Sequence, residues 1–358
     1  MLRDLMIDHA GPVLAAGGLL IGLGFGALAY RTNFCTMGAL ADFRTFGDRR
    51  RLHAWMLAIA VAMAGAQALS GCGVLAIDKS MYVGPTVNWA GAVLGGLMFG
   101  YGMVFAGGCA TRNATRFGGG DLRGLVSLLL IGVFAYMAIG GVFGPARAAL
   151  ESATAVRVGS SLQTVPSLLG LPATGSGAVL GGIVALVLAA IAFGDRAFRA
   201  SPMHVFAGFG VGLAVVAGWA LTGIVFDEMA DKPVAPVSLT FVRPAGDAIE
   251  WFSRFTALGL PGFGVTTLVG TVLGAFLAAL ASGRFRIVGF SGTDDTVRHL
   301  VGAALMGVGG VFATGCTIGQ GITGVSTLAI TSLVALAAIL AGGWLGLGAL
   351  ERGLEATA

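Results

Sequence analysis

The sequence is dominated by long apolar stretches separated by short polar segments. Nine such stretches approach the length of about 20 residues that a helix needs to cross the hydrocarbon core of a bilayer. Charged residues form only 11% of the 358-residue chain, which leaves too little polar surface for a water-soluble domain. We therefore expect an all-α polytopic membrane protein, with residues 1–358 in a single transmembrane domain. The nine predicted spans cover approximately residues 11–30, 53–73, 87–106, 122–143, 175–193, 203–225, 259–282, 300–314 and 324–348.

The positive charges are divided unevenly between alternate loops of this predicted topology. Loops on one side carry 14 of the 21 lysine and arginine residues, and loops on the other side carry 7. Because basic loops tend to stay in the cytoplasm, this division predicts an external N-terminus and a cytoplasmic C-terminus. The arginines are scattered along membrane edges and form no single basic face, so we expect membrane lipid and no nucleic acid as a partner.

A glycine-rich phrase that ends in cysteine occurs twice. Gly100–Cys109 reads GYGMVFAGGC and Gly307–Cys316 reads GVGGVFATGC, with seven of ten positions identical. Two weaker copies are Gly26–Cys35, which keeps the glycine-to-cysteine spacing, and Gly210–Trp219, which puts tryptophan in the cysteine position. These copies fall in the first, third, sixth and eighth spans, and the charge-derived topology gives the two pairs opposite directions across the membrane.

This arrangement predicts an inverted-topology repeat, in which spans 1–4 return as spans 6–9. The first half-repeat would cover residues 1–143, a connector with the fifth span 144–202, and the second half-repeat 203–358. Proteins built in this way place their sites near the midplane, where the repeats meet. We therefore expect the repeated phrases to approach one site from opposite faces.

Three of the four cysteines end an apolar stretch and begin a short polar one. The polar stretches are TMGALADFRTFGD after Cys35, ATRNATRFGGGDLRG after Cys109 and TIGQGITGVST after Cys316. Irregular backbone at membrane depth is tolerated only where protein or water surrounds it, so we expect short re-entrant helices at these positions. Packing alone does not call for sulfur there. Cys72 lies outside the repeated phrases and is interpreted as a small buried hydrophobe.

The residues around these cysteines leave several ligands open: a metal ion, a persulfide or a sulfur-containing solute. The four histidines are dispersed and no CxxC pair occurs, which disfavours a metal site. A thiolate is disfavoured in an apolar channel, because desolvation raises the pKa of a thiol. Neutral S–H groups are weak donors, and weak donors suit an anion that must leave again. Glycines and helix N-termini add backbone N–H donors nearby.

The candidate substrate-contact residues follow from this interpretation. Threonine, asparagine and glutamine side chains can donate neutral hydrogen bonds, although helix-end capping explains each of them equally well. Arginine at the mouth can attract an anion, although a membrane-edge arginine needs no further explanation. The predicted set is Cys35, Cys109, Cys316, Thr36, Gly108, Thr111, Arg112, Asn113, Gly315, Thr317 and Gln320. We expect no catalytic residue, metal ion or cofactor.

At these cysteines the sequence resembles the YeeE/YedE family of bacterial membrane proteins. The matching stretches are NFCTMGALADF (33–43), FAGGCATR (105–112) and FATGCTIGQGITG (312–324). The resemblance implies an hourglass-shaped protein of long and short helices in the bacterial inner membrane, which takes up thiosulfate. It also implies that Cys35, Cys109 and Cys316 touch thiosulfate in turn. A small cytoplasmic sulfurtransferase-like carrier is an implied partner, and some relatives are linked to selenium.

Three functions remain open at this point. The first is a permease that passes thiosulfate intact along neutral thiols, or a transporter of another sulfur or selenium compound. The second is a membrane sulfurtransferase that forms a cysteine persulfide. A reactive cysteine of this kind needs a fixed positive neighbour, and Cys316 has none close in sequence, which favours transport. The third is a channel-forming subunit whose cysteines merely pack.

Overall fold

The computed structural model describes residues 6–157, 162–171, 175–230 and 233–355. Three residues that matter for the predicted orientation lie outside the described residues: the C-terminal Ala358 and two of the counted cations, Arg3 and Lys232. In chain order the helices are α1 (Ala10–Thr32), α2 (Thr36–Phe46), α3 (Arg50–Gly71), α4 (Trp89–Phe105), α5 (Ala110–Gly118), α6 (Leu122–Ile139), α7 (Gly144–Thr154), α8 (Val165–Leu168), α9 (Ser176–Gly194), α10 (Arg196–Arg199), α11 (Pro202–Val225), α12 (Val242–Ser253), α13 (Phe255–Leu258), α14 (Phe263–Ala281), α15 (Thr293–Phe312) and α16 (Ile330–Glu355).

Non-helical order is slight. Strands β1 (Thr86–Val87) and β2 (Val156–Arg157) pair antiparallel. Short 3₁₀ turns occupy Ile77–Lys79 and Val325–Thr327, and a wider π turn occupies Gly319–Gly324. The predicted all-α polytopic membrane fold is confirmed.

Eight helical segments in the described part of the chain are long and apolar enough to cross a membrane. The predicted span 300–314 corresponds to α15, which starts earlier than its apolar part does. Asp294, Asp295 and Arg298 lie in its first two turns, so α15 does not count among the eight. Its C-terminal half is nevertheless buried, because it packs between α4 and α6. Among the described residues the number of apolar segments is therefore eight and not the predicted nine because α15 begins with polar residues, and no helix is missing.

The packing of the long helices repeats between the two halves. Helix α1 packs beside α14, and the corresponding pair in the other half is α11 beside α3. Helix α16 packs beside α4, and the corresponding pair is α6 beside α15. The first two pairs are parallel: Gly18 and Gly26 of α1 face Phe263 and Thr271 of α14, and Gly208 of α11 faces Ala54 of α3. Exchanging α1 with α11, α3 with α14, α4 with α15 and α6 with α16 reproduces the whole set of pairs. This exchange is what the predicted inverted repeat requires.

Helices α4 and α15 cross antiparallel at the centre of this arrangement. Gly95 lies against Gly309, and Gly102 lies against Gly302. A Cβ atom at any of these four positions would lie within 2.6 Å of a carbonyl oxygen of the facing glycine, so glycine is required for this close approach. The alignment of the two repeated phrases pairs Gly102 with Gly309 and, when it is extended towards the N-terminus, Gly95 with Gly302. The two contacts are therefore exchanged by the two-fold relation, which places the axis between them.

Four short helical segments follow the long helices toward the centre. Helix α5 follows α4 and packs on α6 and α14, while residues 317–327 follow α15 and pack on α16 and α3. Helix α2 follows α1 and packs on α3 and α16, and α12 occupies the related place against α14 and α6. The interpretation of Trp219 as the fourth cysteine position is wrong, because Trp219 lies inside α11. The counterpart of Cys35, the N-cap of α2, is the α12 N-cap Phe241 with its neighbour Thr240.

Candidate functional site

The three motif cysteines share one backbone geometry. In each case a long helix ends, the residue two positions before the cysteine adopts a left-handed conformation, and a new helical segment begins directly after the cysteine. The left-handed residues are Asn33 (φ 52°), Gly107 (φ 67°) and Thr314 (φ 56°). Cys35 and Cys109 are the N-cap residues of α2 and α5. This turn directs each thiol inward at the beginning of a short helix, as the sequence predicts.

Two related side-chain amides hold the cysteine loops in place. Asn113 Nδ2 donates to the carbonyl oxygens of Gly108 at 2.9 Å and Cys109 at 3.2 Å. Gln320 Nε2 donates to the carbonyl oxygen of Ala313 at 2.7 Å and to Thr314 Oγ1 at 2.9 Å. The repeated phrase aligns Asn113 with Gln320, so the two halves use the same device. The amide donors of these residues are engaged with the protein, whereas Asn113 Oδ1 and Gln320 Oε1 find no hydrogen-bond partner among the described residues.

The three thiols are buried near one another inside the protein, and we call this set of three cysteines the row. Cys35, Cys109 and Cys316 are only 6%, 3% and 0% exposed. Cys109 has both Cys35 and Cys316 among its neighbours. The backbone N–H of Arg112 points at the Cys109 thiol, and that of Gly319 donates to Cys316 Sγ at 3.3 Å. Over the described ranges no group of three His, Cys, Asp or Glu side chains could hold a metal ion.

Buried hydroxyl groups accompany the row of thiols. Thr36 and Thr317 directly follow Cys35 and Cys316, and Thr111 lies two residues after Cys109. All three are less than 4% exposed, and their hydroxyl oxygens find no partner in the part of the chain that the structure describes. Thr317 lies close to the Cys109 thiol. Buried polar groups are normally paired, so these hydroxyls are available to water or to a ligand that enters the row.

At its Cys35 end the row opens into a basic cavity of about 370 Å³. We call this cavity the vestibule. It lies at the ends of α1, α4 and α15, on the side that the charge division predicts to be cytoplasmic. Its lining includes Cys35, Arg51, Arg112, Arg116, Arg123 and His299.

Most cations of the vestibule are neutralised within the protein. Arg51 lies 3.2 Å from Asp42, Arg116 lies 2.7 Å from Asp121, and Arg123 lies 3.0 Å from Asp121 and 3.5 Å from Asp295. Burial would raise the pKa of Asp121, but hydrogen bonds from Arg123 and Arg116 outweigh burial and hold it below its ordinary value. Asp121 is therefore ionised at neutral pH.

Arg112 is the exception. Its Nη1 donates to Asn33 Oδ1 at 3.0 Å, and no carboxylate of the described residues forms an ion pair with it. The predicted Arg112 thus supplies the uncompensated positive charge at the mouth of the row.

The Cys316 end of the row is uncharged. The described neighbours of this thiol are Cys109, the Gly319 N–H, the Thr240 hydroxyl at 4.0 Å and the buried Tyr82. Side chains around residues 317–331 are instead tied to the protein by neutral hydrogen bonds: Gln67 Nε2 and Trp219 Nε1 donate to Ser326, and Gln163 binds Thr331. The two ends of the row therefore differ in charge and in openness.

The structure places the predicted residues in one region, and Cys72, which the prediction left out of the site, lies elsewhere. Gly108 and Gly315 complete the loops before Cys109 and Cys316, and the other predicted residues line or support the row. Cys72 is exposed at the end of α3, so the interpretation of this residue as buried is wrong. Its placement outside the row agrees with the prediction.

Sequence reasoning missed Arg51, His299, Tyr82 and Thr240. Their approach depends on tertiary packing, and no motif marks them. For Asn33 a signal existed, since Asn favours the left-handed conformation and stands two positions before a cysteine, like Gly107 and Thr314.

Comparison with known proteins identifies the family of this chain. Residues 31–345 match the family model described as Sulphur transport. The chain is 29% identical over 339 residues to the thiosulfate transporter TsuA of Spirochaeta thermophila, covering 91% of this chain and 96% of that protein. It is 28% identical over 352 residues to TsuA of Escherichia coli, covering 91% and 92% of the two chains. A shorter match, 39% over 95 residues, relates it to the probable transporter YedE of Salmonella typhimurium, over 26% of this chain and 21% of that protein. The resemblance to YeeE/YedE proteins is confirmed, and the chain belongs to the sulphur transport family.

Proposed function

We propose that this protein is an inner-membrane permease that carries thiosulfate along the Cys35–Cys109–Cys316 row. The observation that carries the proposal is the row itself: three neighbouring buried thiols, of which Cys35 lines a cationic vestibule. The relatives named thiosulfate transporter, which match over more than nine-tenths of the chain, support the choice of substrate.

The row has the chemistry that a doubly charged oxyanion needs. A dianion loses much of its hydration in a narrow apolar path, at a cost well above that of one hydrogen bond. The unpartnered hydroxyls of Thr36, Thr111 and Thr317 offset part of this cost, as do the N–H groups that already face Cys109 and Cys316. Each of these donors is weak. Conduction requires sites that bind and release, so several weak sites in series serve better than one strong one.

Thiosulfate passes intact in this proposal. Attack on its outer sulfur requires a thiolate, and a thiolate is favoured by a neighbouring positive charge. The described contacts of Cys316 are uncharged, and a negative thiolate in the row would repel the anion. Neutral thiols instead contact the terminal sulfur through their polarisable S–H groups. We therefore assign the protein no catalytic residue, and a sulfurtransferase becomes an outcome of the test below.

The vestibule determines how the anion leaves. With an external N-terminus, thiosulfate enters near Cys316, passes Cys109 and reaches Arg112 beside Cys35. Inward movement of an anion works against a negative-inside potential, and a positive vestibule lowers the energy of the inner end of the path. A small sulfurtransferase-like carrier in the cytoplasm would accept the released thiosulfate there.

Uptake into proteoliposomes tests the proposal. The purified protein should accumulate ³⁵S-thiosulfate labelled in its terminal sulfur, and unlabelled thiosulfate should compete better than sulfate. After turnover, intact-mass and peptide mass spectrometry should find Cys35, Cys109 and Cys316 unmodified. A persulfide or S-sulfonate that accumulates at the rate of uptake would contradict intact passage and favour a sulfurtransferase. No uptake from either face of the membrane would contradict the permease.

A further inference from the structure

The two-fold relation between the halves predicts a fourth position in the row. In the first half, Cys109 faces Cys35, which caps α2. The related thiol, Cys316, should therefore face the residue that opens α12. That residue is not a cysteine: the chain enters α12 through Thr240 and the N-cap Phe241. The described neighbour of Cys316 from this segment is Thr240, whose Oγ1 lies 4.0 Å from Cys316 Sγ.

The surroundings of Thr240 hold its hydroxyl at the thiol. On one side Leu239 O accepts a hydrogen bond from Thr323 Oγ1 at 2.8 Å, and next to it Ser238 Oγ donates to Val215 O at 2.7 Å. These bonds hold the non-helical backbone just before α12 in place. A Cβ atom at Gly319 would lie 2.6 Å from Thr240 Oγ1 and 3.6 Å from Cys316 Sγ. The missing side chain of Gly319 therefore leaves the space in which the hydroxyl and the thiol meet.

The hydroxyl is free to act on a ligand. Cys316 Sγ already accepts the Gly319 N–H, and at 4.0 Å the Thr240 contact is at the long limit for a hydrogen bond to sulfur. In the described structure Thr240 Oγ1 has no shorter partner. Thr240 is half-buried, whereas Cys316 is fully buried, so Thr240 is the outer member of the pair. Nearby, the buried Tyr82 hydroxyl finds no partner among the described residues and interacts with Cys316.

We propose that Thr240 is a fourth substrate-contact residue, which forms one station with Cys316 at the end of the row remote from the vestibule. The Thr240 hydroxyl donates a hydrogen bond to an oxygen of a sulfur oxyanion while the Cys316 thiol contacts its terminal sulfur. A hard O–H donor beside a soft sulfur distinguishes the two ends of such an ion, so the station orients thiosulfate and selects it over an oxyanion without terminal sulfur. This inference rests on the proposed function.

The test compares three variants with the wild type in proteoliposomes. Thr240→Val removes the hydroxyl at nearly constant shape, Thr240→Ser keeps it, and Thr271→Val is the matched control. Thr271 is a fully buried threonine whose hydroxyl donates within α14 to Thr267 O at 2.8 Å. Loss of a hydrogen bond to a charged ligand should lower kcat/KM for thiosulfate about tenfold in Thr240→Val. Thr240→Ser and Thr271→Val should stay within about twofold of the wild type.

A second measurement follows binding at Cys316 directly. Alkylation of Cys316 is quantified by peptide mass spectrometry at increasing thiosulfate, with sulfate as the comparison anion. Thiosulfate should protect Cys316 in the wild type and in Thr240→Ser, and about tenfold more should be needed in Thr240→Val. If Thr240→Val does not fold, as judged by size-exclusion chromatography, Thr240→Ala is measured in its place.

The outcomes separate the two proposals. Normal uptake and normal protection in Thr240→Val, beside an active wild type, would overturn the Thr240–Cys316 station and leave the permease intact. An equal loss in Thr240→Val and Thr271→Val would also overturn it, because packing would then explain both. A wild type that neither transports thiosulfate nor is protected by it would overturn the proposed function itself.

Discussion

The loop of Cys109 and the loop of Cys316 have the same backbone but opposite electrical character. Both follow a glycine-rich helix, pass through a left-handed residue and are held by a side-chain amide, from Asn113 and Gln320 respectively. After Cys109 the short helix α5 carries Arg112 and Arg116, whereas residues 317–327 carry no charge. Arg112 and Gly319 occupy the same position in the alignment of the two loops. Arg112 lines the vestibule, whereas Gly319 leaves room for Thr240.

This difference shows how a repeated fold gains a direction. Close helix packing conserves the positions of the glycines and the turns, because the α4–α15 crossing admits no larger residue. Side chains beyond that crossing are free to differ. One end of the row lies beside a cationic vestibule, and the other end is surrounded by neutral groups, so the two halves are alike in backbone and differ in charge.

The largest expected effect concerns what the two loops share. Cys109→Ala and Cys316→Ala should each lower thiosulfate uptake by about a hundredfold, because each removes a contact that offsets dehydration of a dianion. Cys35→Ala should behave in the same way. The exposed Cys72 is the matched control, and Cys72→Ala should stay within about twofold of the wild type. Uptake is measured at matched protein content, and an equal loss in Cys72→Ala would show that the row is not the path.

The sequence predicts the helices of this protein better than the tertiary contacts between them. Hydropathy placed α11 at 203–225, against Pro202–Val225 in the structure, because lipid-facing length is encoded locally. It missed the start of α15, since Asp294 and Asp295 are polar residues that nevertheless lie in the helix. The repeated phrase placed the cysteines correctly at helix starts. Thr240 could not be found in this way, because the 226–241 connection breaks the spacing and only three-dimensional symmetry brings it to Cys316.

The second prediction tests the charged side of the comparison. Arg112→Gln should raise KM for thiosulfate about tenfold at low ionic strength, because a charge-assisted contact is lost. The difference from the wild type should shrink at high ionic strength, since salt screens an exposed charge. Uptake at two potassium gluconate concentrations measures both effects. Arg254→Gln is the control, because Arg254 lies outside the vestibule and pairs with Glu250 at 2.7 Å. A KM ratio that does not depend on salt would contradict the electrostatic role.

The third prediction tests the shared turn. Gly107 and Thr314 both have positive φ, which costs an ordinary residue about 1–2 kcal/mol. Gly107→Ala adds this cost and should lower the thermal midpoint by a few degrees. Thr314→Gly removes it but also removes the acceptor for Gln320, so its midpoint should stay close to that of the wild type. Fluorescence-detected size exclusion after heating measures both. Destabilisation by Thr314→Gly as large as that by Gly107→Ala would show that the hydroxyl, and not the turn, dominates at Thr314.

The smallest expected effect concerns the charge balance of the vestibule. Asp121 pairs with both Arg116 and Arg123 and offsets one of their two positive charges. Its pKa lies below the ordinary value, so it is ionised throughout pH 5–8. Asp121→Asn keeps the shape and makes the vestibule more positive by one charge. Across a partly screened distance this should lower KM for thiosulfate about two- to threefold, the opposite direction to Arg112→Gln. Because Asp121 does not titrate in this range, the ratio of the KM of Asp121→Asn to that of the wild type should be the same at pH 5.5 and pH 7.5. If the KM of Asp121→Asn and that of the wild type become equal toward pH 5.5, Asp121 is already protonated there. If Asp121→Asn leaves KM unchanged or raises it at both pH values, the vestibule attracts thiosulfate through Arg112 alone and not through its total charge.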